Sequence, residues 1–230
     1  MQIDFSNRNI IVLGGSDGIG FEVASRLVQN NANVCIVGRN LSKLESALSK
    51  INQCSDSDSQ NIYVNADLTM PDSVDKISWI VNDKWQGRVD SIVLNAGGPP
   101  FVKNAIDVSI EDWHTYFQSL FLSQISLVGK YLDYMKSNQF GRIISITSSS
   151  IIEPIPGLVI SSAIRSALAA WLKTLSMEVA KDGITVTGVP IGRVSTGRLK
   201  TLDEQRAKTT SVSVDDVIEQ NSGNIPVGRY

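Results

Sequence analysis

Gly14-Gly15-Ser16-Asp17-Gly18-Ile19-Gly20 joins an apolar run, Asn9 to Leu13, to a stretch with helical spacing through Ile19, Val23, Leu27 and Val28. Five residues of that apolar kind ending in glycines suit a buried parallel strand. Gly14, Gly18 and Gly20 stand at the spacing G-x-x-x-G-x-G, so the backbone can turn tightly and come close to a ligand. The helix that follows offers free N–H groups and the positive end of its dipole to a phosphate. The expectation is a dinucleotide pyrophosphate held by Gly14, Ser16, Asp17, Gly18, Ile19 and Gly20. The spacing is not the G-x-G-x-x-G of other dinucleotide folds, and a glycine-rich βα turn without a ligand is the alternative.

Outward from this turn, strand-like and helix-like segments alternate. Strands are expected at 33–37, 62–64, 89–94, 142–146 and 184–189. Helices are expected at 41–51, from Pro71 to about Trp85, as one long element from Ser109 to Lys136, and at 157–182. The polar stretch from Cys54 to Gln60 reads as an exposed loop. Such alternation implies a parallel sheet covered by helices on both faces. The expected fold is therefore α/β, a Rossmann-type doubly wound sheet in three αβα layers, with one domain spanning residues 1–230. Ligands of such sheets lie beyond the carboxyl ends of the strands.

The end of the second strand reads Val37-Gly38-Arg39-Asn40, with no Asp or Glu between Glu22 and Glu45. A carboxylate there would accept bonds from an adenosine ribose and favour NAD. Arg39 instead offers a planar, permanent cation suited to a 2′-phosphate, so NADP(H) is the expected cofactor, although a solvated surface arginine is the bland alternative. The 230 residues carry a net charge of -2 with no basic block, which argues against nucleic acid as a partner. No apolar run approaches the roughly 20 residues of a membrane-spanning helix. The N-terminus, Met1-Gln2-Ile3-Asp4-Phe5, lacks the marks of a signal peptide, and the two cysteines, Cys35 and Cys54, are too few for a disulfide framework. A cytoplasmic location is expected. His114 is the single histidine, so no metal site and no Ser-His triad is expected.

The chain resembles the short-chain dehydrogenase/reductase family, and is most similar to its 3-oxoacyl-[acyl-carrier-protein] reductase-like branch. Beyond the glycine turn, the resemblance rests on Asp67-Leu68, Asn95-Ala96-Gly97-Gly98 and Gly141-Arg142-Ile143-Ile144-Ser145-Ile146-Thr147-Ser148-Ser149. It implies that Asp67 and Leu68 lie at the adenine, that Asn95, Ala96 and Gly97 border the cofactor, and that Gly192 and Thr196 close over it. It also implies oxidation or reduction of alcohols and carbonyls. Family members polarise the carbonyl with a serine, transfer the proton from a tyrosine and hold the nicotinamide ribose with a lysine four residues later.

That last pair is missing. None of Tyr63, Tyr116, Tyr131, Tyr134 and Tyr230 has a lysine four residues on. Aligned with the family, Ser161 takes the tyrosine position, Arg165 the lysine position and Ser148 the serine position, while the helix asparagine falls on Leu120. Pro190 comes one position early for the family's Pro-Gly, leaving Ile191-Gly192. Ser161 and Arg165 share a helix face. A serine hydroxyl is far too weak an acid to replace a phenol of pKa about 10. Arg165 stays protonated, yet it can bind a ribose and stabilise a developing alkoxide. Ser148 as a strand-end cap, Ser161 as an inert helix-start residue and Arg165 as a structural residue remain alternatives.

Two functions follow as expectations. One is an NADP(H)-dependent oxidoreductase that reduces a 3-oxoacyl-like carbonyl, a small molecule or acyl thioester, with Ser148, Ser161 and Arg165 as a non-standard catalytic set. The other is a catalytically silent NADP(H)-binding sensor or partner protein. The helices 109–136 and 157–182 resemble the pair that family members bury between subunits, and Phe117, Phe121, Leu168 and Trp171 exceed what one sheet-facing stripe needs. A homodimer or homotetramer is expected. The segment 224–230 resembles the one before the family's last helix and strand, which are expected to be missing. The polar stretch from Ser195 to Gln220 names no substrate.

Overall fold

The computed structural model describes residues 4–54 and 59–230; residues 55–58 of the expected loop and 1–3 of the N-terminus lie outside them. The strands are β1 (Asn9–Leu13), β2 (Asn33–Gly38), β3 (Ile62–Asn65), β4 (Ser91–Leu94), β5 (Gly141–Ser148) and β6 (Ile184–Ile191). The helices are α1 (Gly18–Val28), α2 (Leu41–Asn52), α3 (Ser73–Trp85), α4 (Ile110–Phe117), α5 (Ser123–Ser137), α6 (Val159–Val179), α7 (Gly197–Thr210) and α8 (Val214–Gly223). All strand pairs are parallel, in the order β3-β2-β1-β4-β5-β6. This is the expected doubly wound, Rossmann-type sheet.

The period of two in the strands creates the three layers. Along β1, Ile11 and Leu13 join Cys35 and Val37 of β2 in one core, against the apolar faces of α3, α5 and α6. Ile10 and Val12 join Val34 and Ile36 in the other core, against Ala24 and Val28 of α1 and Leu44, Ala47 and Ile51 of α2. Strands apolar on both faces need helices on both sides, which only crossover connections provide. The chain leaves β1 towards β2 and β3, then returns to place β4 on the other side of β1. Loops diverge at that reversal and leave a crevice beyond the carboxyl ends of β1 and β4.

The long helix expected from Ser109 to Lys136 is two helices joined by one π-helical turn, Gln118–Leu122. Side chains take up the groups that the wide turn frees. Gln124 Nε2 donates to the Leu120 and Ser119 carbonyls at 2.9 and 3.4 Å. Ser123 Oγ donates to the Leu68 carbonyl at 2.7 Å and accepts from Gln118 Nε2 at 3.1 Å. Periodicity passes over this break because the apolar face continues across it. Pro71 precedes the start of α3 by two residues, and the last turn of the expected 157–182 helix is a 3-10 turn, Ala180–Asp182.

The stretch beyond Ser195 is helical. Thr196 Oγ1 accepts from Leu199 N at 3.3 Å to cap α7, and Ser213 forms a capping box with Asp216 at the start of α8. Leu168 is wholly committed to the core beneath α6, so it offers nothing to a second subunit. Phe121 and Trp171 are half-buried against the same core, while Phe117 stays exposed and stacks on Phe121 at 5.0 Å. No helix among the described residues is long and apolar enough to cross a membrane.

Candidate functional site

The crevice at the sheet reversal holds a cavity of about 320 Å³. Its walls come from the β1–α1 turn (Gly14, Asp17, Gly18, Ile19), the β4 end (Asn95, Ala96, Gly97), the β5 end with α6 (Ser148, Ser161, Arg165) and the β6–α7 loop (Gly192, Thr196). Twelve residues singled out in the sequence, from these four parts of the chain, thus face one space. Ser16 lies in an adjoining groove beside Lys43. Gly20, Arg39, Asp67 and Leu68 line neither.

The glycines have separate reasons. Gly14 has φ +63°, and a Cβ there would collide with the Asn95 carbonyl oxygen, so β1 and β4 can meet only with glycine at this point. Gly18 has φ +54°, where an L side chain is strained, and a Cβ would press on Thr196 Cγ2 at 3.3 Å. Asp17 caps α1 by accepting from Gly18 N at 2.7 Å and pairs with Lys43 at 3.0 Å. Its carboxyl is held below the usual range, first by Lys43 and then by the Gly18 N–H. At Gly97 and Gly192 a Cβ would meet nothing within 4 Å, so these two walls are open where a side chain would stand. A helix N-terminus, a wall without Cβ atoms and a neutralised aspartate fit a nicotinamide dinucleotide along the crevice.

Arg39 is exposed at the end of β2, its carbonyl accepts from Asn65 Nδ2 at 2.9 Å, and its side chain has no hydrogen-bond or carboxylate partner among the described residues. Asp67 Oδ1 is occupied locally, accepting from Thr69 N at 3.0 Å and Thr69 Oγ1 at 2.9 Å. The Leu68 side chain packs into the core below.

In the same cavity the expected catalytic positions meet. Arg165 Nε donates to Ser161 Oγ at 3.2 Å, Nη1 to the Ile146 carbonyl at 3.0 Å and Nη2 to the Ala96 carbonyl at 3.2 Å. The guanidinium therefore ties α6 to the ends of β4 and β5. Burial, then the charge of Arg198, pulls its pKa down to about 10, which leaves it cationic at neutral pH. Ser148 Oγ accepts from Ser150 N at 3.1 Å, so it caps the strand end, and its hydroxyl donates to no partner among the described residues. Leu120, expected at the family's asparagine position, is fully buried with Ala96, Ile160 and Ile164.

Arg198, which the sequence reading missed, reaches into the same cavity. Its Nη2 donates to the Pro99 carbonyl. Arg193 also lines the cavity, but it pairs with the buried Asp203 at 3.8 Å. The available signal was electrostatic. Arg198 stands in the first turn of α7, where a cation opposes the helix dipole at a cost of about 0.3–1 kcal/mol.

The profile of the short chain dehydrogenase family matches residues 8–207. An uncharacterized oxidoreductase of Staphylococcus epidermidis is 28% identical over 209 residues, covering 90% of this chain and 87% of its own. The NADPH-dependent reductase BacG of Bacillus subtilis is 28% identical over 226 residues, 97% of this chain and 85% of its own. The structure of L-sorbose reductase from Gluconobacter frateurii, complexed with NADPH and L-sorbose, superposes with a TM-score of 0.89 at 23% identity, covering 100% of this chain and 86% of that one.

Proposed function

The chain belongs to the short-chain dehydrogenase family, and on that footing we propose that it is an NADP(H)-dependent oxidoreductase that reduces a carbonyl with a non-standard catalytic set. The observation that carries this reading is the convergence of Ser148, Ser161 and Arg165 on one cavity with the glycine turn. The cofactor supplies the hydride. Gly14, Ser16, Asp17, Gly18, Ile19 and Gly20 hold its pyrophosphate side, Arg39 its 2′-phosphate, Asp67 and Leu68 its adenine, and Asn95, Ala96, Gly97, Gly192 and Thr196 its nicotinamide half. Arg165 holds the ribose, and its fixed charge faces the oxygen that becomes an alkoxide. Ser148 donates to the same oxygen. Bound NADPH would supply the hydride to the carbonyl carbon held there, and water or the substrate delivers the proton to the oxygen that Arg165 and Ser148 face.

NADP(H) is preferred over NAD(H) because Arg39 is an unengaged cation where NAD enzymes carry a carboxylate, and BacG, named as NADPH-dependent, is similar over 97% of this chain. The family resemblance suggests a 3-oxoacyl-type carbonyl as the substrate. We also propose a cytoplasmic homodimer or homotetramer. The free thiols Cys35 and Cys54 suit a reducing compartment, and Phe117 and Met177 remain exposed on α4 and α6.

One observation favours a second reading, a silent NADP(H)-binding protein. The Arg165 donors are engaged with Ser161 and two main-chain carbonyls, and Ser148 caps its own strand end. Anaerobic single-turnover oxidation of NADPH against ketoacyl thioesters, ketones and quinones separates the two. The enzyme consumes NADPH with at least one of these carbonyls, and the silent binder with none.

A further inference from the structure

Two guanidinium groups share the reacting end of the cavity. A point one Cβ bond out from Gly98 lies 3.4 Å from Arg198 Nη2 and 3.9 Å from Arg165 Nη2. Both nitrogens therefore lie within 4 Å of one point beside Gly98. Neither arginine has a carboxylate partner among the described residues, whereas Arg8, Arg193, Lys43, Lys84 and Lys130 all do. The other charged groups facing the cavity are Asp17, already neutralised by Lys43, and Arg193, already neutralised by Asp203.

The two cations are not equivalent. Three of the five Arg165 N–H donors are committed, to Ser161 and to two main-chain carbonyls. Arg198 is exposed as a residue, yet its guanidinium end turns inward over Gly98, and the Pro99 carbonyl is its only hydrogen-bond acceptor among the described residues. Its remaining N–H groups stay free to receive a ligand. Like charges held together without an anion cost free energy, and Arg198 adds the penalty of a cation in the first turn of α7. Burial lowers the pKa of both, so neither is wholly relieved by water. A carboxylate placed between them removes the repulsion and accepts the spare donors, and a guanidinium fork matches its two oxygens.

We propose that Arg198, backed by Arg165, forms a carboxylate subsite, and that the substrate is a small free oxo acid whose carboxylate lies within a few bonds of the reacting carbonyl. This rests on the reductase reading above and narrows it. It disfavours an acyl thioester, which has no charge at that place, and favours a 2-oxo or 3-oxo carboxylate. The subsite lies beside Arg165 and Gly98, and because Thr196 and Gly197 just before Arg198 pack on Gly18 and Asp17, the test below separates a carboxylate from the phosphates of the cofactor.

The test is calorimetric titration of the protein saturated with NADP⁺, in which no reduction can occur, using 2-oxopentanoate, 3-oxopentanoate and the methyl ester of each. At least one acid binds about ten- to a hundredfold more tightly than its ester, the range for a charge-assisted hydrogen bond. Arg198→Met brings that ratio close to one, Arg198→Lys keeps part of it, and melting curves of both variants report that the fold is intact. Equal binding of acid and ester to the unmodified protein overturns the proposal. So does an Arg198→Met variant that loses NADP⁺ affinity and keeps the acid preference, because the arginine then serves the cofactor. Selective acid binding without any NADPH oxidation keeps the subsite and removes the reductase reading. Reduction of the esters as fast as the acids does the reverse.

Discussion

At the scale of single residues, the account depends on which polar groups are already engaged. Asp17 is satisfied by Lys43 and by its own helix, so its charge does not repel a phosphate. Arg39 has no side-chain partner among the described residues and projects from the end of β2. Arg39→Ala should cost about ten- to a hundredfold in affinity for NADP⁺ and little for NAD⁺, as one charge-assisted contact would. Parallel titrations with the two cofactors check this, and equal affinities in the unmodified protein would remove Arg39 from the site. The sequence exposed these positions because each carries its chemistry in its residue type: glycines where no Cβ fits, and an arginine where a carboxylate is absent. It did not expose Arg198. Nothing in the residue type says that a surface helix will start above the cavity and turn this side chain over Gly98.

At the scale of elements, the core strands and helices were legible because they are apolar at regular intervals. Within β1, Ile10-Ile11-Val12-Leu13 follow Asn9 without a polar break, and all four are buried. The elements around the cavity are another matter. The stripe of α7 that faces inward is Leu199, Asp203 and Ala207, and the aspartate in its middle hides the helical period. Asp203 is buried because it has partners. It accepts from Asn221 Nδ2 of α8 at 3.0 Å and from Tyr230 Oη at 3.1 Å, and it pairs with Arg193. Gln205 Oε1 also accepts from Phe101 N at 3.1 Å, so α7 is tied to the loop after β4 as well. The α7–α8 unit is thus a cover fastened by one buried carboxylate. Asp203→Ala strands the Asn221 donor and the Arg193 charge and should destabilise this unit by about 1–3 kcal/mol. Hydrogen exchange in α7 and α8 should quicken roughly ten- to a hundredfold, while β1 and β4 keep their protection. Uniform quickening across the chain would show that Asp203 supports the whole fold.

At the scale of the whole molecule, two questions remain joined: how many copies assemble and what the assembly does. The structure corrects one basis for the assembly, since Leu168 belongs to the core of its own chain. Ile110 at 65% exposure, Phe117 at 38% and Met177 at 64% are the large apolar groups left exposed on α4 and α6. Light scattering at micromolar concentration should give a dimeric or tetrameric mass, and a monomeric mass would contradict it. The doubly wound sheet was legible from alternation alone, and the family from its motifs in order. Whether catalysis proceeds in a sequence without Tyr-x-x-x-Lys was not, because that depends on how Ser148, Arg165 and the substrate oxygen meet. Anaerobic stopped-flow measurement of NADPH absorbance, with a panel of oxo acids, ketones and ketoacyl thioesters, tests this directly. The account predicts that the unmodified protein oxidises one equivalent of bound NADPH with at least one carbonyl, that Ser161→Ala retains most of the rate, and that Arg165→Met loses about a hundred- to a thousandfold. An unmodified protein that leaves NADPH untouched, while Ser161→Tyr with Arg165→Lys gains carbonyl reduction, would contradict it.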